Sequence, residues 1–332
     1  MRQQVILIFM GIVLSALQCE SPRQLLILDS QDGEPYESAR LACIEELARF
    51  GYSETAGTLT VRSYSLGNSA EFMKRVQALE AGRIDQYDAI VLNGTIALIA
   101  ARDLWYGTAG KNCLFMNVTD PVGLGVLNDL SGPPKGNFSG VSYPVPIRER
   151  LRFLQRILPE ARRIGYLYAD MPQSWSYNQW LDDIMAEPEF RDLQLVSRKV
   201  DFVAGENGSM RMAVVAAELA AQMNDTVDVF LAPNDQLGVN VEFSRRLSRV
   251  VSKPIVALGY QEGAVRSGAL FSVYPDTVKA GRRVADMLQL LFSGADIKSI
   301  YPEQAPYDYI LDRVQVQRFG ITVPPEFAAK VH

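Results

Sequence analysis

What most constrains this chain is an alternation of two patterns. Short apolar runs are each followed by a longer stretch whose apolar residues recur every three or four positions. Runs at 25–28, 59–64, 89–92 and 113–118 read as strands. Between them, 36–50 (stopped by Gly51), 71–81 (ended by Gly82) and 96–104 read as helices. Strands alternating with helices give a parallel, doubly wound sheet with right-handed crossovers. The alternation restarts after Val145. Helix 148–158 sets Leu151, Leu154 and Leu158 on one face and ends at Pro159. Strands follow at 164–169, 193–200, 227–232 and 254–258, with helices around Trp180, at 210–223 and at 237–251. At 332 residues the chain is long for one core and suits two lobes of roughly 120 to 150 residues each. Further on, 269–274 and 307–311 read as strands, 277–292 as a long amphipathic helix and 314–319 as a short one.

The stretch 117–145, NVTDPVGLGVLNDLSGPPKGNFSGVSYPV, occupies the exit from the first lobe. Small polar residues at the end of a buried strand lie where ligands meet the open edge of a parallel sheet. Pro121 fits the first turn of a short helix, with Asp120 or Thr119 as its cap. A glycine-rich return at 132–140 then leads to a strand-like run at 141–145.

Three segments, VTDPVG at 118–123, GNFSGVS at 136–142 and ILPEARRIGYLY at 157–168, occur in this order, and FGITVPPEF follows at 319–327. Together they resemble the extracytoplasmic substrate-binding proteins of ABC importers, in the group associated with aromatic amino acids. The resemblance implies a type I periplasmic-binding-protein fold: two doubly wound α/β lobes with parallel sheets, joined by a multi-strand hinge. It also implies that helix 277–292 recrosses to the first lobe, so that lobe one is 24–145 plus 274–299 and lobe two is 146–273 plus 300–332. The function it implies is capture of a small organic ligand, an amino acid or related molecule, for delivery to an ABC transporter permease. A clamshell that signals ligand to a membrane partner is the alternative.

Composition excludes other classes. Net charge is −5, from 33 basic and 38 acidic residues with no strong block of either sign, so the electrostatic footprint of a nucleic-acid partner is missing. The only histidine is His332, which removes His-dependent triads and histidine metal clusters. Gly123 and Gly125 follow a strand, but Asn128 stands where a dinucleotide fingerprint needs its third glycine. The expectation is a binding protein with no cofactor, no metal and no enzymatic activity. Residues 1–18, with Arg2 ahead of an apolar run at 5–17, read as an export signal too short to span a bilayer. The protein is therefore expected in the periplasm or anchored outside the cytoplasmic membrane. Cys19 sits where a lipoprotein signal places its acylated cysteine, with Gln18 in place of the usual small residue; lipid-anchored and free forms both stay open. Cys43 and Cys113 read as small buried hydrophobes.

Candidate ligand residues are those at the C-terminal ends of strands. Lobe one offers Tyr36, Asn93, Thr95, Thr119 and Asp120. Lobe two offers Tyr168, Ser174, Trp175, Asn234, Asp235 and Tyr260, and Tyr274 with Asp276 lies near the recrossing. Hydroxyls and helix N-termini suit a ligand carboxylate, and Asp120, Asp235 or Asp276 suits an ammonium. The tyrosines and Trp175 suit an apolar or aromatic side chain. Many of these residue types also favour ordinary caps and turns. In the family a threonine commonly precedes the acidic residue where this chain has Pro233.

Overall fold

The computed structural model describes residues 21–67, 69, 71–203, 207–257 and 265–332. The expected leader, Cys19 and Tyr260 lie outside these residues. Two sheets form the framework. In the first, β1 (Arg23–Asp29), β2 (Leu59–Ser65), β3 (Ala89–Asn93), β4 (Cys113–Val118) and β5 (Phe138–Ser142) lie in the order β2-β1-β3-β4-β5, all parallel. Strands β3 and β4 are buried along their whole length, so their sequences are continuous apolar runs rather than alternating ones. Leu25, Ile27, Val91 and Leu114 build the core on one face of this sheet, and Leu26, Leu28, Leu92 and Phe115 build the core on the other. Cys43 belongs to the first core and Cys113 to the second; both are free thiols, and burial pushes the Cys43 thiol up to about 12.

The second sheet comprises β6 (Arg163–Ala169), β7 (Gln194–Val200), β8 (Val229–Leu231), β9 (Ile255–Ala257), β10 (Phe271–Pro275) and β11 (Tyr307–Leu311), ordered β11-β10-β9-β8-β6-β7. Its strands are parallel except β11, an edge strand that runs antiparallel to β10. Helix α4 (Ile147–Ile157) buries Leu151, Phe153 and Leu154 against this sheet.

The chain passes between the sheets at 143–146, at Asp276 and at 300–306. Hydrogen bonds tie the passages together: Ser142 N donates to the Glu303 carbonyl at 2.9 Å and Asp276 N to the Pro306 carbonyl at 2.7 Å. The long helix Thr277–Phe292 lies against helix α1 (Tyr36–Arg49), and its Gly281 meets the Ala39 backbone where any side chain would collide. The two α/β lobes are thus joined by adjacent passages of chain.

Three local expectations are corrected. The strand expected at 141–145 is Phe138–Ser142, because Cys113 N bonds back to Asn137 and the ladder starts there; Pro144 and Pro146 have no N–H with which to extend it. No helix forms at Pro121. Asp120 Oδ1 takes the Gly123 N–H at 2.7 Å, Val126 and Leu127 both fold back onto the Pro121 carbonyl, and Gly125 adopts φ 75°, so the segment closes as turns. The helix expected from Leu237 begins at Val241, where Asn240 caps it by accepting from Glu242 N.

Candidate functional site

In each sheet the strand order reverses once, beside β1 and β3 in the first and beside β6 and β8 in the second. Loops leaving such neighbouring strands go to opposite faces and open a crevice at the carboxyl ends. The two crevices meet. A cleft of about 390 Å³ is lined by Ser30, Gln31, Glu34 and Tyr36 after β1, by Thr95 and Ile96 after β3, and by Asn117 and Thr119 at the end of β4. The passage residue Tyr143 closes one side, and lobe two supplies Met171 after β6 and Asn234, Asp235, Gln236 and Val239 after β8. A volume of this order suits one small organic ligand.

On the lobe-one wall the loop after β1 closes over β3 at Gly94. This residue has φ 106°, and a side chain there would overlap Ser30 Oγ and the Tyr36 ring. Ser30 Oγ accepts the Ala97 N–H at 3.0 Å, at the start of helix α3 (Thr95–Trp105). The positive end of that helix therefore points at the cleft, where it favours an anion. Thr119 N donates to Thr95 Oγ1 at 3.2 Å and joins two of the expected ligand residues.

Beneath this wall lies a buried polar chain. Asn93 Nδ2 donates to Asp29 Oδ1 at 2.6 Å and to the Tyr36 carbonyl at 2.8 Å, and Asn117 Nδ2 donates to Asn93 Oδ1 at 2.8 Å. Arg40 forms an ion pair with Asp29 at 2.9 Å. Burial pushes the Asp29 carboxyl up to about 6, the Asn93 amide and the Arg40 guanidinium pull it down, and the Asp32 charge adds to the rise.

The lobe-two wall is organised around Asp235. Oδ2 accepts from Ala169 N and Ser174 Oγ, each at 2.8 Å; Oδ1 accepts from Leu237 N at 2.9 Å and Gly238 N at 3.0 Å. Burial raises this carboxyl above its ordinary range, and the four donors, all serving the ionised form, oppose the rise. Asp235 thereby pins the loop after β8 to the end of β6.

The cleft brings together Tyr36, Thr95, Thr119, Asn234 and Asp235 of the residues expected from the sequence. Asn93 and Ser174 lie just behind it, buried, as partners of Asp29 and Asp235. The other described ones are elsewhere. Asp120 lines a second cavity of about 500 Å³ beside the passage 143–146, with Val122, Trp180 and Ile184. Tyr168 packs against Tyr166 and the lobe-two core. Trp175 is 57% exposed and donates to Asp170 at 2.9 Å. Tyr274 is buried with Val265 and Ile310, and Asp276 caps the helix Thr277–Phe292 through Lys279 N at 2.9 Å. Among the cleft residues absent from that expectation, Asn117 had a visible signal: an asparagine inside an otherwise apolar strand. Met171 and Val239 had none, since single apolar residues in loops are common. Among the described residues no three His, Cys, Asp or Glu side chains gather as a metal site, and no helix is long and apolar enough to cross a membrane.

The sequence pattern of the family described as ABC transporter substrate binding protein matches residues 36–331. A tyrosine-binding protein of Clostridioides difficile is 25% identical over 206 residues, which is 62% of this chain and 55% of that protein; the chain thus spans about half the length of this relative. Two solved structures superpose over nearly all of this chain. One is the ligand-free, open form of a substrate-binding protein with adhesive properties from Clostridium difficile, with TM-score 0.76, 17% identity and coverage of 93% of this chain and 99% of that one. The other is an ABC domain in complex with L-Trp from Streptococcus pneumoniae, with TM-score 0.70, 18% identity and coverage of 94% and 100%. Both carry two lobes of this fold.

Proposed function

This chain belongs to the ABC transporter substrate-binding protein family, a family of extracytoplasmic binding proteins rather than enzymes, and on that premise we propose that it captures an aromatic amino acid between its lobes and presents it to an ABC importer permease. The observation that supports this most directly is the composition of the cleft. Polar groups suited to a zwitterion stand beside Tyr36, Ile96, Tyr143, Met171 and Val239, which suit a flat apolar side chain. The ligand carboxylate lies at the start of helix α3, where the backbone dipoles favour negative charge. Relatives that bind tyrosine and L-Trp point to the same ligand class. Closure of the lobes, with the ligand unchanged, is the molecular event. A thermal-shift series over the common amino acids tests the reading. A ligand present at about 100 times its dissociation constant adds about 2.7 kcal/mol of stability. Tyrosine, tryptophan or phenylalanine should give the largest shift; no shift with any of the three overturns the proposal.

A further inference from the structure

We propose that Asn117 Oδ1 is the acceptor that holds the ammonium of the captured amino acid, oriented for that task by the Asn93 amide and the Asp29 carboxylate behind it. The proposal rests on the reading of the cleft as an amino-acid site.

The backbone supplies the first argument. Asn117 has φ 56°, the only non-glycine residue in the left-handed region among those described, and the β4–β5 register shifts between Phe115 and Val118. Such a break in register re-aims a side chain, and a non-glycine residue held at positive φ marks a position that the surroundings enforce. Here it turns an asparagine from a buried strand to the cleft wall.

Hydrogen-bond logic supplies the second. The Asn93 amide has one orientation open to it, because its nitrogen alone can serve both the Asp29 carboxylate and the Tyr36 carbonyl. Its oxygen therefore faces Asn117, which must answer with its own nitrogen. Asn117 Oδ1 is left over. It is buried, it accepts from no donor among the described residues, and it belongs to a residue that lines the cleft. A buried acceptor without a donor is costly, so a ligand group that supplies one gains that cost back on binding.

Charge identifies the group. The Asn93 nitrogen serves the Asp29 carboxylate and the Asn117 nitrogen serves the Asn93 oxygen, so the two amides line up head to tail and their dipoles extend the negative end of the chain to Asn117 Oδ1. That end suits a cation. The competing acids are less suited. Asp235 is engaged by four donors, Asp120 lines the second cavity, and Glu34 is exposed and accepts from the Ser38 hydroxyl, where water screens its charge.

The test is a cycle between residue and ligand group. Glycine adopts positive φ freely, so Asn117→Gly removes the side chain without straining the backbone. Wild type, Asn117→Gly and Glu34→Gln are titrated calorimetrically with L-tyrosine and L-tryptophan. Each is also titrated, by displacement at millimolar concentration, with the deaminated partners 3-(4-hydroxyphenyl)propanoate and indole-3-propanoate. Asn117→Gly should bind the better amino acid about tenfold or more weakly and bind its deaminated partner within about twofold of wild type, which also shows that the variant is folded. Equal loss for both ligands, no loss for either, or a larger selective loss in Glu34→Gln overturns the assignment of Asn117 alone. Wild-type protein that binds neither amino acid overturns the reading of the cleft, and this inference with it.

Discussion

The two walls of the cleft each stand on a buried aspartate, and the two are used in opposite ways. Asp235 in lobe two receives four donors from three separate segments, two on each carboxylate oxygen. Asp29 in lobe one has one amide donor and one ion pair, and passes its polarity through Asn93 to an amide oxygen that no described residue satisfies. A saturated carboxylate fixes a loop; an unsaturated chain of amides is prepared for a ligand. Asp29 is the last residue of β1 and Asp235 sits in the loop beyond β8, where backbone N–H groups can fold back onto the side chain; three do so at Asp235.

The largest consequence of this contrast is in stability. Asp235→Ala strands four donors in a buried loop and should cost roughly 3–5 kcal/mol, whereas Asn117→Gly on the opposite wall should cost about 1 kcal/mol or less, as read from urea unfolding. Equal costs would break the comparison. A smaller effect sharpens it through pH. Asp29 has a folded value near 6 against an unfolded value of 3.8, so between the two the folded chain holds a proton that the unfolded chain does not. Its contribution to stability is therefore greatest at acid pH and falls as pH rises through that window. Relative to Asp29→Asn, the wild type should gain on the order of 1–3 kcal/mol when unfolding is measured at pH 4.5 instead of pH 7.5. A constant difference across that range would show that Asp29 ionises normally. The smallest effect concerns an aspartate outside this cleft: Asp120→Ala should cost about 1 kcal/mol through loss of its bond to Gly123 N, with ligand affinity within about twofold of wild type by calorimetry. A tenfold loss of affinity would return Asp120 to the site.

Much of the framework is legible in the chain. The run 113–118 is the strand Cys113–Val118, and the pattern 277–292 is the helix Thr277–Phe292, because a fully buried strand and an amphipathic helix each write their period into consecutive residues. Legibility fails where a side chain answers a distant or local backbone group instead of a period. The loop 237–240 keeps a helical pattern of apolar residues, yet Asp235 captures the Leu237 and Gly238 N–H groups and delays the helix to Val241. Trp175 and Tyr274 show the same limit among the candidate ligand residues: both are aromatic and near strand ends, but one turns to Asp170 and the other into a small buried cluster.

By itself the sequence determined that this protein alternates strand and helix twice over, that its strand ends are rich in short polar side chains, and that it resembles one family of binding proteins. Those properties are local or additive along the chain. Only the tertiary structure decided which strand ends meet across the cleft, that Asp235 is satisfied within its own lobe, and that Asn117, inside an apolar run, turns an unanswered oxygen to the wall. Each of these depends on hydrogen bonds between residues as far apart as 64 and 66 positions, as between Asn93 and Asp29 or Ala169 and Asp235. No periodicity encodes such pairings, because they exist only once the two switch points have been folded into place.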